Sequence, residues 1–350
     1  MTLAERLAGE TLALCRIPSP IGEEQSLCDH LERVARIENL PLRRHGNALI
    51  IEGAGTGAWP GGRPLALVGH LDTVPAFPGD GPPRIEGERV HGKGASDMKG
   101  GIAVALALVR ELPPERRPHL ILYDREEGPY AENGLEPLFE GGALPPLSLA
   151  VCLEPTSNSL QLGCVGSLHA TLRFHGRSAH SARPWEGENA IHKAGRLLAS
   201  LDEAARRPVE HEGLTYYEVA QITRAQGGRA RNVVPNLFEL NLNYRFAPGV
   251  TIDQAKARVA ELVRGAEIEF TDLSPSGPSC AGNPDVVRLR AGVPVQAKQA
   301  WTDVARFASN GIDAVNFGPG NPAQAHQVDE WCEIPALAKA YELLRAWLLA

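Results

Sequence analysis

The apolar positions of the chain fall into two rhythms. Up to about residue 165, short continuous apolar runs alternate with longer helix-like stretches. Residues 65–69 (Leu-Ala-Leu-Val-Gly), 119–123 (His-Leu-Ile-Leu-Tyr) and 148–153 (Ser-Leu-Ala-Val-Cys-Leu) read as strands, and 99–112 reads as a helix apolar on most sides. Strands without polar alternation are buried on both faces, as parallel strands are, and a helix apolar nearly all round packs on such a sheet. The alternation predicts an α/β fold with a mostly parallel twisted sheet and helices on both faces. From residue 166 the rhythm changes. A strand at 168–174, a helix at 188–203, strands at 215–224 and 236–246, a helix at 251–264 and a strand at 266–271 follow in the order β-α-β-β-α-β, a split βαβ arrangement. Ser274-Pro275-Ser276-Gly277-Pro278 reads as a linker. A strand at 312–317 and a closing helix at 334–349 then resume the first pattern. The expected organisation is one α/β domain made of residues 1–165 and 279–350, interrupted by an inserted α+β domain at 166–278.

Composition narrows the class. At 350 residues, 43% hydrophobic and 22% charged, the chain has the size and balance of a soluble two-domain protein. A net charge of -7 lacks the basic excess of a nucleic-acid binder. The six cysteines are scattered and form no C-x-x-C pair, as expected for reduced thiols. Thr2 and Glu5 make a capping-box pattern at the head of an amphipathic helix, and no apolar signal core is present. No apolar run is long enough to cross a bilayer. The expectation is a cytoplasmic protein with neither nucleic acid nor membrane as partner.

The candidate chemistry gathers where the strands run out. His70 follows the first apolar run, Glu126 and Glu127 follow the second, and Glu154 closes the third. His326 lies just past the run at 314–317 and the Gly318-Pro319-Gly320 turn, and Asp97 opens the helix-like stretch beginning at Met98. In open α/β sheets, ligands bind beyond the carboxyl ends of the strands. The two imidazoles with three of these four carboxylates suit a divalent metal such as zinc. His70-Leu71-Asp72 places an acidic group where it could accept the free ring N–H of His70. Asp97 stands in a glycine-rich run, Gly92-Lys93-Gly94-Ala95-Ser96-Asp97-Met98-Lys99-Gly100-Gly101. It reads either as a helix cap or as a carboxylate bridging two ions. The adjacent Glu126 and Glu127 repel one another unless cations neutralise them, as a metal ligand beside a general base would require. His180, in the inserted region, reads either as a satisfied surface histidine or as a donor to an oxyanion. Asn232 is a further candidate there, and Arg245 suits either a structural ion pair or a bidentate carboxylate contact. The chain has no G-x-S-x-G elbow, Walker loop or dinucleotide fingerprint.

Together the H-x-D step, the G-x-G-x-x-D-M-K-G-G run, the Glu-Glu pair, the later Glu154, His180 and the C-terminal His326 resemble the dinuclear zinc aminoacylase and carboxypeptidase family, over nearly the whole chain. The resemblance implies hydrolysis of an amide bond in a small N-acyl amino acid, with two zinc ions, or cobalt or manganese in their place. It implies that His70, Asp97 and Glu154 hold one ion and Asp97, Glu127 and His326 the other. Asp72 then orients His70, Glu126 is the general base, and His180 comes from the lid of a second subunit in a lid-to-lid homodimer. Ser167, Asn232 and Arg245 are the implied substrate-side residues. Within the family, the chain is most similar to members that release succinate from N-succinyl-L,L-diaminopimelate. Removal of acetyl from N-acetyl-ornithine or N-acetyl-citrulline, a broad aminoacylase and a metal-binding protein without catalysis are the alternatives. Gly163-Cys164-Val165-Gly166-Ser167 stands where a more basic G-R-R-G-S run is usual, and Asp124-Arg125-Glu126-Glu127 is less acidic than the common run.

Overall fold

The structure is a computed structural model that describes residues 1–55, 59, 62–203 and 206–350. In chain order the strands are β1 (Leu42–His45), β2 (Ala48–Ile51), β3 (Leu65–His70), β4 (Arg84–Glu86), β5 (Arg89–His91), β6 (His119–Tyr123), β7 (Leu149–Cys152), β8 (Leu160–Leu162), β9 (Gly166–His175), β10 (Arg207–His211), β11 (Leu214–Gly227), β12 (Leu237–Phe246), β13 (Glu267–Ser274), β14 (Val295–Ala297), β15 (Ala314–Asn316) and β16 (Trp331–Glu333). The helices are α1 (Leu3–Cys15), α2 (Gln25–Ile37), α3 (Gly100–Glu111), α4 (Glu136–Glu140), α5 (Ala190–Glu203), α6 (Ile252–Leu262), α7 (Pro284–Leu289), α8 (Val304–Ser309) and α9 (Ile334–Leu349).

The continuous apolar runs form the centre of an eight-stranded sheet ordered β1-β2-β6-β3-β7-β15-β8-β14. Strands β6, β3, β7 and β15 are mutually parallel. The β1–β2, β2–β6 and β15–β8 pairs toward the edges are antiparallel. Every residue of β3, β6 and β7 is buried. Helix α3 is buried from Gly100 to Val109 because it lies between the sheet and the packed pair α1 and α9. The capping box at Thr2 is formed. Its Oγ1 accepts the Glu5 amide at 3.2 Å, and its own amide donates to the Glu5 carboxylate at 2.7 Å. Such a cap contributes about 1 kcal/mol to a helix end. A small antiparallel sheet, β16-β5-β4, has no counterpart in the apolar pattern because its strands are three residues each and partly exposed.

The split βαβ pattern forms a five-stranded sheet ordered β10-β11-β12-β9-β13, all antiparallel. Period-two alternation decides its faces. Leu168, Ala170, Leu172 and Phe174 of β9, with Leu240, Leu242 and Phe246 of β12, form one core with α5 and α6. The intervening positions carry Ser167, His169, Asn243 and Arg245 on the other face.

The described residues divide into two compact units: Met1–Gly163 with Ser279–Gln296 and Arg306–Ala350, and Cys164–Pro278 with Ala297–Ala305. The segment at 297–305 therefore belongs with the second unit, whereas the expectation assigned it to the first. Hydrogen bonds explain the difference. The Gln299 side chain accepts from the Tyr217 amide at 3.1 Å and donates to the Thr215 carbonyl at 3.1 Å, and the Trp301 indole donates to the Pro275 carbonyl at 3.0 Å. Such contacts leave no periodic trace in the sequence. No helix among the described residues is long and apolar enough to cross a membrane.

Helix α3 approaches the end of β7 so closely that a Cβ on Gly101 would lie 2.7 Å from the Leu153 carbonyl oxygen. Gly101→Ala is expected to destabilise the protein by about 1–3 kcal/mol, the usual cost of overpacking. The measurement is the urea unfolding midpoint, and an unchanged midpoint would refute so tight a contact.

Candidate metal centre

Because β6, β3, β7 and β15 run parallel as neighbours, their carboxyl ends open on one edge of the sheet. His70 is the last residue of β3, and Glu126 and Glu127 occupy the turn after β6. Glu154 lies two residues beyond β7, and His326 follows β15. Asp97 arrives from the loop between β5 and α3. Its backbone is extended (φ -122°, ψ 89°), and the Asp97–Met98 peptide is cis. The cap position of α3 is Lys99 and no side chain caps it, so the structure discards the reading of Asp97 as a helix cap.

Glycines let the surrounding backbones approach. A Cβ on Gly318 would stand 2.4 Å from the Leu153 carbonyl oxygen, and one on Gly320 would stand 2.2 Å from that of Ser96. These two contacts seat the segment after β15 against the end of β7 and against the Asp97 loop. Further along the chain, the fully buried Arg306 pairs with Glu136, donates to the Tyr130 carbonyl at 2.6 Å and stacks on the Tyr130 ring.

His70, Asp97 and Glu127 each offer a ligand atom within 4.8 Å of the others. The Asp97 carboxylate lies between two imidazoles. Its Oδ1 is 3.1 Å from His70 Nε2, and its Oδ2 is 3.9 Å from His326 Nε2. Glu127 Oε1 is 2.9 Å from His326 Nε2. Two ligands at 2.0–2.1 Å from a tetrahedral zinc stand about 3.3 Å apart. The donor set and its spacing therefore fit a divalent cation, and a carboxylate turning one oxygen to each imidazole fits two cations sharing it. Glu154 is buried at the end of β7, beside β3, but is not a member of the converging trio.

Hydrogen bonds behind this trio differ from the expectation in one respect. His70 Nδ1 faces the backbone carbonyl of Asp72 at 2.9 Å, with the Asp72 carboxylate at 3.6 Å. That carboxylate instead accepts the amides of Glu126 at 3.0 Å and Glu127 at 2.8 Å. The chain runs on past β3, the Leu71 and Thr73 amides donating to the Tyr123 and Ser19 carbonyls, and this leaves the Asp72 carbonyl beside the ring. With Nδ1 so engaged, Nε2 is the nitrogen directed at Asp97. Asp72 thus ties the strand end bearing His70 to the turn bearing both glutamates.

The electrostatics call for positive charge. Burial lowers the pKa of His70, but the carboxylates of Asp72, Asp97 and Glu126 outweigh it and raise the pKa well above the ordinary range. The hydrogen bond to Glu127, with the charge of Asp97 behind it, raises His326. Arg125 does not add charge here, because its exposed guanidinium turns to Glu132 at 3.4 Å. Glu330, which the sequence reading did not single out, is buried beneath the Asp97 loop. Burial pushes its carboxyl up to about 7 against the pull of the amides of Asp97, Gly94 and Ser96. The only sequence trace of it is an acidic residue at the head of β16, a weak signal without its partners.

The remaining candidates lie in the second unit. His180 is exposed and its Nδ1 accepts the Ala182 amide at 3.1 Å. Asn232 is exposed, and its carbonyl accepts the Ser181 amide. Arg245 pairs across the sheet with Ser167, and its Nε donates to Asn243 Oδ1 at 3.0 Å. Asn243 Nδ2 in turn donates to Ser167 Oγ at 3.3 Å. Cys164 and Val165, at the positions usual for arginine, are both fully buried, and Val165 packs on Tyr216 and Ala247.

The family model of peptidase family M20/M25/M40 matches residues 66–350. A Mycobacterium tuberculosis protein named putative succinyl-diaminopimelate desuccinylase DapE is 40% identical, over 97% of this chain and 96% of its own. The succinyl-diaminopimelate desuccinylase of Corynebacterium glutamicum is 34% identical over 97% and 95%. An acetylornithine deacetylase of Myxococcus xanthus is 28% identical over 82% and 80%. Among solved structures, the aminopeptidase PepT of Bacillus cereus superposes with a TM-score of 0.75 at 19% identity, covering 99% of this chain and 98% of its own. A Bacillus subtilis protein described as a dinuclear metal binding peptidase of the M20 family gives 0.68 at 17%, covering 99% and 97%. The chain belongs to peptidase family M20/M25/M40 and is a metal-dependent amide hydrolase.

Proposed function

We propose that this hydrolase removes the succinyl group from N-succinyl-L,L-diaminopimelate, giving succinate and L,L-diaminopimelate. The observation that carries the chemistry is the Asp97 carboxylate set between His70 and His326 at the open edge of a parallel sheet. The acyl group is supported by the relatives of 40% and 34% identity, both named as desuccinylases and matched over nearly their full length. Deacetylation of N-acetyl-ornithine is the second reading, favoured by the deacetylase relative.

In this reading His70, Asp97 and Glu154 hold one ion, and Asp97, Glu127 and His326 hold the other. Zinc is the metal these nitrogen and carboxylate donors suit best, with cobalt or manganese also accepted. When bound, such ions polarise the amide carbonyl and bring the pKa of water down to about 7. Glu126 takes the proton from the attacking water on its carboxylate and returns it to the departing amine. Asp72 holds the Glu126 amide, and so fixes where that carboxylate starts. His180, contributed by a second subunit of a homodimer, donates to the oxyanion. Ser167, Asn232 and Arg245 bind the substrate, the guanidinium of Arg245 matching a carboxylate. A small-molecule N-acyl amino acid in the cytoplasm is the substrate class this mechanism serves.

Four outcomes check the reading. Steady-state kinetics are expected to favour N-succinyl-L,L-diaminopimelate over N-acetyl-ornithine. Chelation should abolish turnover, and added zinc, cobalt or manganese should restore it. A preference for the acetyl substrate transfers the assignment to deacetylation, and metal binding with no hydrolysis of either points to a protein that has lost catalysis. Glu126→Gln is expected to keep its metal content and to lose turnover by about 10²–10⁴-fold. Turnover within a few-fold of the native value removes Glu126 from the base role. Asp97→Ala should weaken both ions together in a metal titration, and two ions still held at native affinity would rule out sharing.

A further inference from the structure

A buried carboxylate is retained only where hydrogen bonds compensate its desolvation. Glu330, 2% exposed, is such a group. Its Oε1 accepts the amides of Ser96 at 2.8 Å and Asp97 at 3.0 Å, and its Oε2 accepts the amide of Gly94 at 2.9 Å. Backbone N–H groups that converge in this way form a nest, a concavity that binds anions. Here the chain supplies the anion itself. Gly94, with φ of 83°, takes the left-handed conformation that lets the loop curl around it.

The same segment that carries Glu330 carries His326, and it is clasped to the Asp97 loop along its length. The Gly92 amide donates to the Glu330 carbonyl at 2.9 Å. Ser96 Oγ donates to the Trp331 carbonyl at 2.7 Å, and Lys93 Nζ donates to the Gln327 carbonyl at 2.8 Å. The carboxylate thus binds the amide of Asp97 itself while standing four residues from His326. We infer that Glu330 is a positioning residue for the metal centre, the internal anion that sets the Asp97 carboxylate in place against both imidazoles. It touches neither substrate nor metal and acts through Asp97. The inference rests on the metal-holding role proposed for Asp97 and His326.

The test is Glu330→Gln, which keeps the shape but turns an NH₂ toward one of the amide donors and removes the charge. Co²⁺ affinity by chelator competition, the visible spectrum of bound Co²⁺, and the melting temperature in chelator are read for native protein and variant. The expected result is a metal-free melting temperature within a few degrees of native, Co²⁺ affinity weakened at least tenfold, and an altered spectrum. Affinity within twofold of native with an unchanged spectrum overturns the assignment. Native protein that binds no Co²⁺ overturns the metal-centre reading, and this inference with it. Should the variant fail to fold, Ser96→Ala removes the hydroxyl that donates to the Trp331 carbonyl and accepts the Asn321 amide, loosening the same clasp. Affinity about threefold weaker then supports the role, and unchanged affinity overturns it.

Discussion

The constraint on which the rest depends is charge. The fold brings the carboxylates of Asp72, Asp97, Glu126 and Glu127 to the surroundings of a buried imidazole, where water screens them poorly. Like charges so placed raise one another's pKa unless something positive stands among them. The raised pKa values of His70 and His326 express the same demand from the side of the imidazoles. A divalent cation answers it with two charges and takes its ligands at the spacing the side chains already have.

Holding such groups together requires rigid supports. His70 ends a strand whose every residue is buried, and the strands on either side of it fix its position laterally. The loops are secured by contacts that only glycine permits, at Gly318 and Gly320, and by polar side chains whose partners are backbone groups. Asp72 and Glu330 play matching parts. One carboxylate holds the amides of the Glu126–Glu127 turn, the other holds the amides of the Asp97 loop. Acidic residues close to the centre thus serve as acceptors for main-chain donors and organise the acidic residues in front of them.

The second unit is built on a simpler rule. Alternation along β9 and β12 divides its sheet into an apolar face covered by α5 and α6 and a polar face carrying Ser167, His169, Asn243 and Arg245. Its apolar core is independent of the metal centre, as expected of a module interrupting another in the chain. Cys164 and Val165, at the start of this unit, are fully buried, Val165 against Tyr216 and Ala247.

What could be read along the chain was whatever repeats at short range. Burial on both faces writes β3, β6 and β7 as continuous apolar runs, half-burial writes β9 and β12 as alternation, and the Thr2–Glu5 cap spans a single turn. Strand ends followed by His70, Glu127, Glu154 and His326 were visible for the same reason, since a parallel sheet puts all its carboxyl ends on one edge. Tertiary structure alone decided that Asp97 is no helix cap, that the Asp72 carboxylate takes the Glu126 and Glu127 amides, that residues 297–305 join the second unit, and that Glu330 lies beneath Asp97. In each of these the partners are distant in sequence or the backbone is irregular. A hydrogen bond between distant residues has direction and distance but no period, and only the folded chain can display it.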